Sequence, residues 1–386
     1  MSSRIAVGSK LPNVGTTIFS VMSQLAAEVG AVNLGQGFPD FAVPEFLVRS
    51  VTLAMQEGRN QYAPMQGVPA LREAIADKTA MSYGARPDPE TEITVTSGAS
   101  EAIFCAILSA IRAGDEVIVL DPCYDLYEPV VELAGGVCVH VPLRSLDFSI
   151  DWGRLREAVT KRTRMIIVNS PHNPTGAIWA SEDVAQLAAL TRGTDLLVLA
   201  DEVYEHIVYD GRRHESVLRN AELAARSFVV SSFGKTYHCT GWRVGYCVAP
   251  AALTTELRKV HQYNTFGGFA PAQWAFTGML RAHPEHHLEL SEFYEPKRDH
   301  FAAQLARTRF TPLPVQGGYF QVVDYSAVSD LPDVEFARWL CTVHKVAAIP
   351  LSPFYGKAQA GQRLVRLCFA KHQETLDAAI ARLERV

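Results

Sequence analysis

The chain has 386 residues, 48% of them hydrophobic and 20% charged, a balance that suits two folded domains and excludes a disordered chain. A formal net charge of -5 gives no electrostatic basis for binding nucleic acid or an anionic membrane. No run of 18 apolar residues occurs, so a spanning helix is excluded, and the polar residues 1–15 lack the apolar stretch of a secretory signal.

In chain order, the first forty residues show no regular strand pattern. From there on, short β-branched runs predict strands at 93–96, 117–120, 165–168, 196–200, 227–232 and 244–249. Amphipathic stretches predict helices at 100–113 and 181–191 between them. Apolar runs with helical connections imply strands covered on both faces, hence a mainly parallel sheet. The run at 244–249 follows its predecessor closely, which allows one antiparallel strand. Further on, His283, His286 and His287 in an acidic, Pro-containing stretch read as an exposed helix start rather than a metal site. Strands at 317–323 and 364–369, with helices at 334–344 and 374–385, predict a smaller α+β unit built from both chain ends. The expected division is 1–38 as an N-terminal arm and part of the small domain, 39–285 as the large domain and 286–386 as the rest of the small one. Seven cysteines, odd in number and never spaced Cys-x-x-Cys, fit free thiols in a reducing cytoplasm.

Ligands of parallel sheets sit beyond the carboxyl ends of the strands, and five predicted strand ends carry polar or aromatic groups. Lys235 follows the run 227–232 in Ser231-Ser232-Phe233-Gly234-Lys235. A lysine shielded from water near other cations loses basicity, and its neutral amine can attack an aldehyde. Eight residues later Arg243, flanked by glycines, suits a bidentate grip on phosphate. At Ser97-Gly98-Ala99-Ser100 a strand gives way to a helix, whose first N–H groups suit an anion or serve simply as a capped end. Asp201 closes an apolar strand and needs a cationic partner such as a protonated pyridine nitrogen, or else caps a helix beginning at Glu202. Tyr204 would share a helical face with Asp201 and offer its hydroxyl to the same ligand. Tyr124 could stack on a ring. Arg366 faces with Leu364 and Cys368 along its strand, whereas Arg363 precedes that strand.

Asn173-Pro174-Thr175-Gly176, Asp201-x-x-Tyr204 and Ser232-x-x-Lys235 followed by Arg243 resemble the class I/II aminotransferases of pyridoxal-phosphate (PLP) fold type I. Asn33-Leu34-Gly35-Gln36-Gly37-Phe38-Pro39-Asp40-Phe41 is similar to the kynurenine aminotransferase and glutamine transaminase subgroup, with further likeness to the methionine aminotransferase branch along nearly the whole chain. The resemblance implies a large α/β/α domain with a mainly parallel sheet and a small α+β domain. It implies that Lys235 carries PLP as an imine and moves the proton, and that Asp201 holds the pyridine nitrogen. Asn173 and Tyr204 would bind the phenolic oxygen, Tyr124 would stack on the ring, and Ala99, Ser100, Ser232 and Arg243 would hold the phosphate. Tyr62 would reach the phosphate of the other subunit of a homodimer. Arg366, with Asn173 and the backbone at Gly37, would grip the substrate carboxylate. Phe19, Phe38, Tyr62 and Tyr124 suggest a pocket for apolar or aromatic side chains. Gly267-Gly268 departs from the bulkier or polar residues of relatives and leaves substrate preference open.

The implied reaction is ping-pong transfer from an apolar, aromatic or sulfur amino acid, methionine foremost, to a 2-oxo acid. Three rivals stand beside it. One is a PLP β-lyase acting on cysteine conjugates, on the same fold. A PLP-binding regulator would lack Lys235 or Asp201, and both are present. A nucleotide-dependent dehydrogenase would need Gly-x-Gly-x-x-Gly after an early strand, which is absent.

Overall fold

The computed structural model describes residues 7–357 and 361–386; the first six residues of the expected arm lie outside them. Its central sheet has seven strands: β1 (Ile93–Thr96), β2 (Glu116–Asp121), β3 (Val137–Pro142), β4 (Thr163–Asn169), β5 (Leu197–Asp201), β6 (Ser227–Ser232) and β7 (Gly245–Val248). They lie in the order β1-β7-β6-β5-β4-β2-β3. Only β7 runs antiparallel to its neighbours, β1 and β6; the other pairs are parallel.

Alternation along each strand explains why the sheet is covered twice. Ile118, Ile166, Val198 and Val229 enter one apolar cluster, while Val117, Val119, Ile167, Leu199 and Val230 enter the cluster on the opposite face. Burial on both faces is what made these strands read as unbroken apolar runs. The sequence reading missed β3. It is an edge strand with half-exposed positions and His140 in its middle, so it shows no such run. Five helices matter below: α1 (Ile18–Val29), α2 (Ala99–Ala110), α3 (Ser181–Thr191), α4 (Asp333–Val343) and α5 (Gln373–Leu383). Helix α2 stops three residues before the expected end because Ile111 is already extended, turning the chain toward β2.

The smaller layer is built on β8 (Phe320–Asp324) and β9 (Leu364–Cys368), an antiparallel pair flanked by Thr311–Pro312 and Ile349–Pro350. The strand expected from 317 begins at Phe320, because Gly317 and Gly318 form a turn whose amides bond to Gly176 and Ile207. Val32–Asn33 pairs in parallel with Val346–Ala347, so both ends of the chain share one layer. Met22, Ala26 and Leu34 pack with Phe336, Leu340, Leu376 and Ile380 in one core.

The histidine stretch corrects its sequence reading. It does start a short helix, Glu285–Leu288, but His287 is fully buried against His206. Burial lowers the His287 pKa to about 4, which keeps it neutral. His283 and His286 are both half-buried, and His286 bonds the carbonyl of Thr236. No helix of the described residues is long and apolar enough to cross a membrane.

Candidate active site

The carboxyl ends of the parallel strands deliver their polar residues to one cavity of about 110 Å³. Nine residues singled out in the sequence line it: Ala99, Ser100, Tyr124, Asn173, Asp201, Tyr204, Ser232, Lys235 and Arg243. Ile103, Asn169 and Val203 line it too; the last two stand in the strand-end segments singled out in the sequence but carry no assigned role there. Asn169 ends β4 as Asp201 ends β5. A wider cleft of about 410 Å³ opens behind the 169–180 segment and shares Asn169. It holds neither the lysine nor the aspartate, so the chemistry belongs to the smaller cavity.

Lys235 sits in a single helical turn, Phe233–Thr236, directly after β6. Its Nζ donates to the carbonyl of Gly37 at 3.1 Å and lies 5.6 Å from the Tyr204 ring. Burial, assisted by the guanidinium groups of Arg366 and Arg243, lowers its pKa to about 8. This is the environment the sequence reading required of a nucleophilic amine.

Asp201 differs in detail from expectation. Residues 203–206 form a turn rather than a helix, so Asp201 caps no helix and shares no helical face with Tyr204. Its carboxylate accepts hydrogen bonds from the Tyr127 hydroxyl at 2.7 Å and from the amide of Val203 at 3.3 Å. Even so, burial raises its pKa to about 6, against the pull of these donors and of Lys235. Held by two neutral donors, this buried carboxylate suits a cationic partner. Tyr127 carries no motif signal from sequence; only the fold brings it beside Asp201. Tyr204 reaches the cavity through the turn, and burial raises its pKa far enough to keep the hydroxyl a donor.

At the other end of the cavity α2 begins at Ala99 and Ser100, where the first N–H groups of a helix have no intrahelical acceptor. Arg243 adopts a left-handed conformation (φ 53°) and points Nη2 at Ser100 Oγ, 3.3 Å away. Gly98 makes room for it: a Cβ there would lie 2.8 Å from the guanidinium. A cation and the first amides of a helix thus converge on one spot, an arrangement that suits an anion.

Arg366, in β9, is buried and donates to Asn173 Oδ1 at 2.7 Å and to the Gly35 carbonyl at 2.8 Å. Its Nε is a buried donor without a partner, which suits a carboxylate. Phe19 lies 5.1 Å from this guanidinium, and Phe320 lies 3.9 Å from it. Gly37 contributes its carbonyl, which accepts from both Lys235 and the Tyr319 hydroxyl. Arg363 pairs instead with Asp330 at the surface. Tyr62 is not part of its own chain's cavity; it is exposed and meets Phe266 edge-on at 5.5 Å. Two sets of side chains, Glu101–Cys105–His261 and Asp121–Cys123–His140, lie close enough to share an ion. In each the histidine and carboxylate are bonded to one another.

Residues 29–383 match the family model of the aminotransferases of class I and II. The chain belongs to that family. It is 51% identical to the methionine aminotransferase of Escherichia coli K12, over 98% of both chains. Identity is 41% to a probable N-succinyldiaminopimelate aminotransferase of Mycobacterium tuberculosis, over 97% of both. It is 34% to kynurenine–oxoglutarate transaminase 3 of Rattus norvegicus, over 98% of this chain and 90% of the relative. A solved Escherichia coli structure, reported with a methionine aminotransferase function, superposes with a TM-score of 0.97 at 50% identity, covering 99% of this chain and all of the other. The fold is therefore that of the PLP-dependent class I/II aminotransferases, as the motifs implied, and the protein is an aminotransferase. The family and these relatives imply dependence on PLP.

Proposed function

We propose that this aminotransferase holds PLP on Lys235 and moves the amino group of an apolar, sulfur-containing or aromatic amino acid to a 2-oxo acid. The observation that carries this is the arrangement of one cavity. An amine that gives up its proton near neutrality lies between a buried carboxylate, an anion cup and a half-satisfied arginine. When bound, PLP supplies an electron sink for the pair left as the substrate loses its Cα proton. The residues do the rest. Asp201 keeps a ring nitrogen protonated by offering it a buried negative charge. Tyr204 and Asn173 hold the phenolic oxygen, and Tyr124 covers the ring. Ala99, Ser100, Ser232 and Arg243 anchor the phosphate. Arg366 would orient the substrate through its carboxylate, and the amine of Lys235 would take the proton from Cα and deliver it to the cofactor side rather than back to Cα.

Phe19, Phe320 and Phe354 around Arg366 favour apolar donors, with methionine first because of the 51% relative. A panel of amino donors with several 2-oxo acids tests this; preference for acidic donors would overturn it. The same proposal includes a homodimer in which Tyr62 completes the other subunit's phosphate site. In support, Tyr62, Tyr263, Phe266 and Phe269 are all exposed around Gly267-Gly268. It also includes the division at 38/39 and 285/286, supported by two cores, the smaller of which also takes in Tyr204, Ile207 and Tyr209, and a cytoplasmic setting, supported by seven free cysteines.

Two predictions arise here. Arg243→Ala lowers PLP affinity on the order of 10- to 100-fold, the worth of charge-assisted hydrogen bonds. Equilibrium dialysis of PLP measures it, and unchanged affinity removes Arg243 from the phosphate site. The second concerns pH. With Lys235 near pKa 8, about a tenth of the amine is neutral at pH 7 and about half at pH 8. The rate at which the PLP-free protein captures added PLP therefore rises through this range and levels off above it. Stopped-flow absorbance reads the rate; a flat profile between pH 7 and 9 contradicts the lowered basicity.

A further inference from the structure

One carboxylate outside the cavity ties the central sheet to the segment that carries Phe354 beside Arg366. Asp121 ends β2 and is buried. Its Oδ1 accepts from His140 Nδ1 at 2.9 Å, and its Oδ2 accepts from the amide of Gly356 at 2.9 Å. Two residues on, the amide of Cys123 donates to the carbonyl of Phe354 at 2.7 Å. The His140 ring lies flat beneath Gly356, so close that a Cβ there would sit 2.5 Å from three ring atoms. On its other side His140 reaches Glu128 at 3.3 Å. The segment so clamped begins at Ser352, whose amide and hydroxyl donate to Asp333 at the start of α4. It carries Phe354, whose buried ring meets Phe19 at 5.6 Å and stands 5.8 Å from the Arg366 guanidinium.

We infer that Asp121 and His140 form a positioning latch that fixes Phe354, and with it the apolar wall facing the substrate side chain. The inference rests on the proposed aminotransferase site and deepens it: specificity for apolar donors depends on a histidine that touches neither substrate nor cofactor. Removing the ring takes away the surface beneath Gly356 and the partner that orients Asp121, which loosens the 354–356 segment although the amide bonds of Gly356 and Cys123 remain and Asp333 still holds its other end. Donors with long apolar side chains lose the wall they bind. Alanine, too short to reach it, does not.

The test is a double-mutant cycle on His140→Ala and Gly356→Ala, with His140→Gln as the conservative variant. Each single change raises KM for methionine or phenylalanine on the order of tenfold, leaving KM for alanine and the PLP affinity as in the parent. Gly356→Ala adds nothing in the His140→Ala background, since the collision it creates needs the ring, and His140→Gln restores most of the loss. Equal losses for alanine and methionine, additive effects, or no effect would overturn the latch. If His140→Ala does not fold, the Gly356→Ala variant alone decides by the same comparison of donors. Failure of the parent protein to transfer amino groups from any donor would instead sink the aminotransferase reading, whatever the variants do.

Discussion

Lys235→Ala yields a folded protein with no measurable amino transfer and no absorbance from covalently held PLP. Two functions leave with one amine: attachment of the cofactor and movement of the Cα proton. Loss of a positioned base alone costs about 10²- to 10⁴-fold, and without the attachment turnover falls below detection. The fold should not suffer. In the PLP-free protein the ammonium is buried, and its pKa stands at about 8 rather than 10.5. The unfolded chain therefore binds more protons than the folded one between those values, and stability rises with pH across that window. Below pH 8 the full penalty of the buried charge is present, of order a few kcal/mol. Alanine removes it, so the PLP-free variant melts no lower than its PLP-free parent at pH 7. Differential scanning calorimetry with an absorbance spectrum settles both halves; a coloured, active variant would mean that another lysine carries the cofactor.

Arg366→Ala is the second large effect. The guanidinium is buried and has one unpartnered nitrogen, and its loss leaves an incoming carboxylate without a counter-charge. Truncating one side of a buried, hydrogen-bonded charge pair costs about 2–5 kcal/mol, which corresponds to a fall in kcat/KM of roughly 30- to 5000-fold. Arg366→Lys recovers little, because a point charge cannot reproduce the fork that also holds Asn173 and Gly35. PLP binding stays at the parent value, which separates this variant from Arg243→Ala. Steady-state kinetics across donors reads the result. A loss confined to one donor would show that Arg366 serves a side chain rather than the shared carboxylate.

The central sheet was legible because burial on both faces leaves unbroken β-branched runs, and each run ended at a residue that chemistry could interpret. What stayed hidden lacked such marks. Strand β3 lies at an edge, half exposed, with a histidine in it. His287 sits among acidic residues in sequence yet is enclosed by His206, a neighbour 81 positions away that only the fold supplies. Tyr127 likewise has no local pattern that pairs it with Asp201. The turn after β5 was misread as a helix because Asp followed by Glu imitates a capped helical start.

The reversed direction of β7 has a structural price in sequence length. Lys235 leaves β6 at the edge where the other strands finish, and Arg243 enters β7 at that same edge because the strand runs back. Two cationic side chains eight positions apart thus line one cavity without a crossover helix. The intervening residues, 236–242, act as a spacer of fixed span: a single insertion or deletion there would carry the phosphate clamp away from the amine while sparing every residue of both.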